Sequence, residues 1–226
     1  MSRRQSFSQQ IFPTTAEFTG CLKKLRGDGM KVMLGYVWAG FDSFKKEILD
    51  KNPPPTRTNT DLERDLTEML YPYILRTLPA ALPYYLLHER KEREKAILGR
   101  QPPEPDLSFV LRANIRVTFP MDAKVLERDA VATLTDYADT VRNRFLTGGY
   151  APFSKEGAMI AFLLAGSVRT VFQNLAVAIG CTISQRAYIA GRQHRTSSHV
   201  RSAAACQYTR FRCHHMILPM SPSVTT

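Results

Sequence analysis

Apolar side chains recur at helical spacing through Phe18, Cys21, Leu22 and Leu25, and again after a glycine-containing break through Met33, Val37, Phe41 and Phe44. Residues 15–50 therefore predict two helices. Asn52-Pro53-Pro54-Pro55-Thr56 cannot prolong a helix and marks a linker, which sets a helical N-terminal extension, residues 1–55, apart from a core over 56–226. Thr60 and Glu63 then have the form of a capping box ahead of an apolar stripe, Leu62, Leu66, Met69, Leu70 and Tyr73. Helical material is expected to run on to about Leu98, through a mixed-sign stretch at 88–95 that reads as a solvated face. Gln101-Pro102-Pro103-Glu104-Pro105 ends it.

The period then changes from 3.6 to 2. Leu107, Phe109 and Leu111 alternate with more polar neighbours, and Val117, Phe119, Met121, Ala123 and Val125 alternate with a set that includes Thr118, Asp122 and Lys124. Two strands follow. Helical spacing returns through Val131, Leu134, Tyr137, Ala138, Val141 and Phe145 and stops at Gly148-Gly149. The apolar run 159–164 predicts a buried strand, Ser167 caps a helix bearing Val171, Phe172, Leu175 and Ile179 that Gly180 terminates, and 211–218 predicts a late strand. The fold class is a mixed α/β (α+β) chain.

Strand side chains alternate between faces, so Asp122 and Lys124 share the face opposite the apolar one. The apolar faces of the two strands can meet only if directly opposed residue numbers add to an even total. Phe109 then faces Phe119, Leu111 faces Val117, and Asp106 falls opposite Asp122, with 113–115 as the connection or a shorter turn plus a bulge. Matching the apolar faces thus brings two carboxylates and a lysine together with no activity assumed. Facing carboxylates repel unless a cation lies between them, and hard oxygen donors suit Mg2+ or Mn2+. The Ala123 carbonyl is a further candidate ligand. A metal so held would polarise a phosphate and help generate hydroxide, with Lys124 orienting water or stabilising developing charge.

Charge gives this chemistry a substrate class. Lys and Arg outnumber Asp and Glu by 31 to 20, a formal net charge of +11, as expected of a protein that approaches phosphate backbones. The four cysteines form no CxxC pair, no N-terminal apolar run suggests export, and no stretch is long enough to span a bilayer. A reducing cytoplasm and no membrane partner are expected.

Pro105-Asp106 followed by Asp122-Ala123-Lys124, sixteen residues on, resembles the PD-(D/E)XK motif of restriction and repair nucleases. The resemblance covers mainly 60–165, where helix, hairpin, helix and strand follow in the order of the family core. It implies a restriction-endonuclease-like core, a central mixed sheet flanked by helices, Mg2+ or Mn2+ as cofactor, and nucleic acid, DNA in preference to RNA, as the substrate of a phosphodiester hydrolase. Members also carry a metal-site glutamate on the first core helix. Glu63 or Glu68 fits that role, although the capping box already accounts for Glu63. The glutamine and tyrosine of some exonuclease branches are not matched, since Tyr137 lies on its helix's apolar stripe. In general layout the chain resembles small restriction-like proteins of bacterial defence loci.

Residues 192–201 read as a loop whose Arg192, His194, Arg195, His199 and Arg201 suit phosphate contact, or as an ordinary solvated loop. Cys213, His214 and His215, with His194 and His199, are candidate zinc ligands at a spacing that matches no standard finger; on a strand His214 and His215 must point to opposite faces. No serine or cysteine has the local context of an activated nucleophile. A nucleic-acid-binding or assembly module without turnover, using the N-terminal helices to meet a second copy or a partner protein, and a zinc-stabilised structural protein remain the alternatives.

Overall fold

The computed structural model describes residues 28–52, 61–80, 82–91, 102–127, 131–201 and 206–220. The expected helix through Phe18 and Leu25, the linker at 53–56, Thr60 and the stretch 92–98 lie outside them. The described elements are α1 (Asp28–Phe44), which continues as a π-helical turn over Lys45–Leu49, α2 (Leu62–Thr77), β1 (Tyr84–His88), β2 (Leu107–Leu111) and β3 (Thr118–Leu126). They continue with α3 (Val131–Thr140), again extended by a π-helical segment, Val141–Leu146, then β4 (Glu156–Leu163), α4 (Val168–Ile179), β5 (His194–Val200) and β6 (Arg210–Pro219).

The six strands form one mixed sheet in the order β1-β2-β3-β4-β6-β5. β1, β2 and β3 are antiparallel, β4 runs parallel to β3, β6 parallel to β4, and β5 antiparallel to β6. Phe109 faces Phe119 and Leu107 faces Met121, the register demanded by the apolar faces. Five residues, 112–116, separate Leu111 from Val117, whose carbonyl accepts the Leu111 N–H, and they are shaped by Asn114 N–H donating to Leu111 O and Val117 N–H to Asn114 O. The odd length of this connection preserves the face parity.

One apolar layer joins α1 and α2 to the face bearing Phe109, Phe119, Ala123, Ile160 and Met216. Met33, Leu34, Val37 and Phe41 of α1 are buried there, so the first described helix spends its apolar stripe on the core. Each such side chain contributes about 1.5–3 kcal/mol relative to exposure. α1 approaches α2 closely enough that a Cβ added to Gly40 would stand 2.7 Å from Ile74 Cα. The second layer sets Tyr137, Val141 and Phe145 of the α3 segment and Phe172 and Leu175 of α4 on Met159, Ala161 and Ile217.

Two expectations are corrected. The chain does not stay helical towards Leu98 but leaves α2 at Thr77 and enters β1, which pairs with β2 through Tyr84–Leu111 and His88–Leu107. Residues 194–200 are not a loop but the edge strand β5, hydrogen-bonded along its length to β6. Ser167 does stand at the N-cap of α4 and Gly180 closes it with φ 76°, a conformation glycine takes without strain, although no side-chain capping bond is made by Ser167.

Candidate active site

β3 outruns β2. The antiparallel register ends at Leu107 opposite Met121, whereas the parallel pairing with β4 continues to Leu126 opposite Leu163. Beyond Met121 carboxylates take the place of the missing strand. Ala123 N–H donates to Asp106 Oδ2 at 2.6 Å, and Val125 N–H donates to Glu63 Oε2 at 3.3 Å. A buried backbone donor left unpaired is destabilising, so the end of the ladder itself calls acidic side chains to this edge.

Asp122 is 5% exposed. Its Oδ1 accepts from the Tyr150 hydroxyl at 3.1 Å, and that hydroxyl is also 3.1 Å from the Glu104 carbonyl oxygen. Its Oδ2 accepts no hydrogen bond and lies 3.0 Å from Lys124 Nζ. The ammonium donates to Glu63 Oε1 and to Ala123 O, each at 2.7 Å. Three acidic side chains, one main-chain carbonyl and one cation thus meet within a few ångströms.

The electrostatics follow from that crowding. Burial, then the neighbouring Asp122 charge, pushes the Asp106 carboxyl up to about 7. Burial works against the Lys124 ammonium, but the charges of Asp122 and Glu63 outweigh it and hold the group well above an ordinary lysine. Burial and Asp122 likewise keep Tyr150 protonated far above the usual phenol range, so its hydroxyl is a permanent donor. A cleft of about 520 Å3 opens beside the cluster, lined by Glu63, Lys124, Asp136, Asp139, Thr140, Asn143 and Arg144.

The oxygens of the cluster are of the type a hard divalent cation takes, and one buried carboxylate atom among them has no hydrogen bond. Among the described residues no group of three or more His, Cys, Asp or Glu side chains is placed to hold a metal ion. The Lys124 ammonium stands among those oxygens instead.

Asp106, Asp122, Ala123, Lys124 and Glu63 are therefore assembled at one place. Asp61, not Thr60, is the N-cap residue of α2 and makes no side-chain capping bond, and the Glu63 carboxylate turns towards Lys124. Glu68 is on the surface beside Arg64 at 3.8 Å. Tyr150 was not legible in the sequence, because a tyrosine after a glycine turn carries no sign of what its hydroxyl reaches.

The five residues of 192–201 go elsewhere. Arg192 pairs with Asp42, Nη1 donating to Oδ1 at 2.8 Å, and Arg195 lies over the Phe172 ring. Arg201 is 3% exposed and donates to Ser154 O at 2.6 Å and Ala151 O at 3.1 Å, so it fastens a loop and is not free for a phosphate. His194 is fully buried, its Nε2 3.1 Å from His214 Nδ1. His199 Nε2 is 2.6 Å from Ser197 Oγ.

The zinc candidates are likewise separated by the sheet. His214 faces Phe119 and bonds to Glu156 at 2.9 Å. On the opposite face His215 Nδ1 is 2.8 Å from the Tyr137 hydroxyl and its Nε2 2.7 Å from Ser197 Oγ, while Cys213 joins the apolar layer. Among the described residues no helix is long and apolar enough to cross a membrane.

Compared with known proteins, the chain matches no protein-family model, no curated protein and no solved structure.

Proposed function

We propose that this chain is a metal-dependent phosphodiester hydrolase of the PD-(D/E)XK type acting on nucleic acid, DNA in preference to RNA. The observation that carries the reading is the convergence of Asp106, Asp122, Lys124 and Glu63 where β3 runs past the end of β2. The order α2, β1-β2-β3, α3, β4 and the mixed sheet support the restriction-endonuclease-like comparison. The net charge of +11 supports a polyanionic substrate.

Asp106, Asp122 and the Ala123 carbonyl would hold Mg2+ or Mn2+, with Glu63 as a fourth donor, and the ion would supply a polarised phosphate and a more acidic water. Tyr150 fixes the rotamer of Asp122 by donating to Oδ1, leaving Oδ2 directed at the cluster. Lys124, at the mouth of the cleft, carries the positive charge that stabilises the extra negative charge of the pentavalent transition state.

The test is cleavage of plasmid and of labelled DNA and RNA oligonucleotides in Mg2+. Asp122→Ala and Lys124→Ala should each lower the rate by a factor of about 100 or more. EDTA should abolish it. Undiminished cleavage by a clean Asp122→Ala preparation would sink the proposal. A second reading, a nucleic-acid-binding module without turnover, is favoured by the ammonium already standing among the carboxylates. It calls for salt-sensitive binding that is indifferent to metal.

A further inference from the structure

The oxygens that a divalent ion would need are the ones that Lys124 holds. Its Nζ is 2.7 Å from Glu63 Oε1, 2.7 Å from Ala123 O and 3.0 Å from Asp122 Oδ2. An ammonium has three N–H bonds; two are donated to Glu63 and Ala123, and the ion pair with Asp122 Oδ2 adds a third close oxygen without a hydrogen bond. In this arrangement Lys124 is committed to the cluster oxygens. A divalent ion and the ammonium also cannot share the same oxygens, because two cations packed that closely repel.

We infer that Lys124 is the resident cation of the metal-free cluster, and that an incoming divalent ion displaces its ammonium into the adjoining cleft, where it becomes available to a substrate phosphate. The inference rests on the reading of the cluster as a metal site. The cleft supplies the destination, since Lys124 and Glu63 already line it together with Thr140, Asn143 and Arg144. The side chain is long and flexible enough to swing between the two positions without moving β3, whose backbone is held on one side by β4. The ammonium thus keeps the Glu63 and Asp122 carboxylates from repelling one another before metal arrives. Metal binding then arms the cleft with a lysine in addition to filling the cluster.

The experiment uses the full chain with Mn2+ as the probe. Bound Mn2+ is measured by the loss of the free-ion paramagnetic resonance signal, and the acetylation rate of each lysine is followed by mass spectrometry in the same samples. The expected result is that Lys124 becomes at least about fivefold more reactive at saturating Mn2+, because an ammonium released from neighbouring carboxylates gives up its proton more readily. Lys31, exposed on α1, should not change. In parallel, Lys124→Met should bind Mn2+ about tenfold more tightly than the unmodified chain, because the two ion pairs with Glu63 and Asp122 no longer have to be broken.

If Mn2+ binds in a way that Asp122→Asn abolishes, yet Lys124 reactivity stays level or falls, the displacement is overturned while the metal-hydrolase reading stands. If no Mn2+ binds at all, both fall. Should Lys124→Met fail to fold, the labelling of the unmodified chain decides alone.

Discussion

Acidification from pH 7 to pH 5 tests the buried histidines and the site carboxylate against each other. His194 and His215 are both fully buried, and burial, reinforced by neighbouring imidazoles, lowers them from 6.5 to about 2 and about 3. Both stay neutral in the folded chain while the unfolded chain takes up protons below 6.5. Their stabilising effect is whole above that pH and is lost as the pH falls towards 3. At pH 5 each gap has opened by about 1.5 pH units, or about 2 kcal/mol, giving about 4 kcal/mol together. His199 and His214 are shifted in the same direction and add to the loss.

Asp106 runs the other way. Its folded value of about 7 exceeds the unfolded 3.8, so the folded chain binds the proton first and gains about 2 kcal/mol between pH 7 and pH 5. Urea denaturation in EDTA should therefore show the unmodified chain losing at least about 2 kcal/mol over that interval. Asp106→Asn keeps a carbonyl oxygen for the Ala123 N–H but has no such compensation, and should lose about 2 kcal/mol more than the unmodified chain. A flat profile in Asp106→Asn, or a shallower one than in the unmodified chain, would refute the reasoning.

Tyr150→Phe should weaken Mn2+ binding about tenfold in a titration and lower stability by about 1–3 kcal/mol, because it removes an orienting donor from a proposed metal ligand and leaves a buried carboxylate oxygen without its partner. Gly40→Ala should destabilise the chain by about 1–3 kcal/mol by calorimetry, since the added methyl meets the Ile74 backbone. Arg201→Met should cost about 1–3 kcal/mol by taking the donor from the Ser154 carbonyl and one of two donors from the Ala151 carbonyl, yet leave oligonucleotide affinity per folded molecule unaltered. Reduced affinity in a folded Arg201→Met preparation would restore this residue as a phosphate contact.

The hairpin was legible because its two strands contrast sharply, apolar on one parity and polar on the other, and that contrast alone sets the register that places Asp106 near Asp122. β1 escaped because Tyr84, Tyr85, Leu86 and Leu87 are apolar on both parities, so the buried Tyr84 and Leu86 cannot be told from the exposed Tyr85 and Leu87. β5 escaped for the opposite reason. Its buried side chains are His194 and Ser197; His214 meets His194 Nε2 and His215 meets Ser197 Oγ across the strand pair, while His194 Nδ1 has no partner. Hydrophobic periodicity is blind to a polar interior of this kind. The Glu63 contact was reachable only through the family resemblance, since 61 residues separate it from Lys124 and no local pattern links them.

The shortness of β2 has a consequence for how such a site can be gained or lost. Four more residues of regular pairing ahead of Leu107 would give Ala123 and Val125 ordinary strand partners and leave Asp106 and Glu63 with no peptide groups to hold. The sheet would be better closed and the acidic cluster gone. The cluster is a property of an unfinished zipper, and its reach is set by the length of one strand.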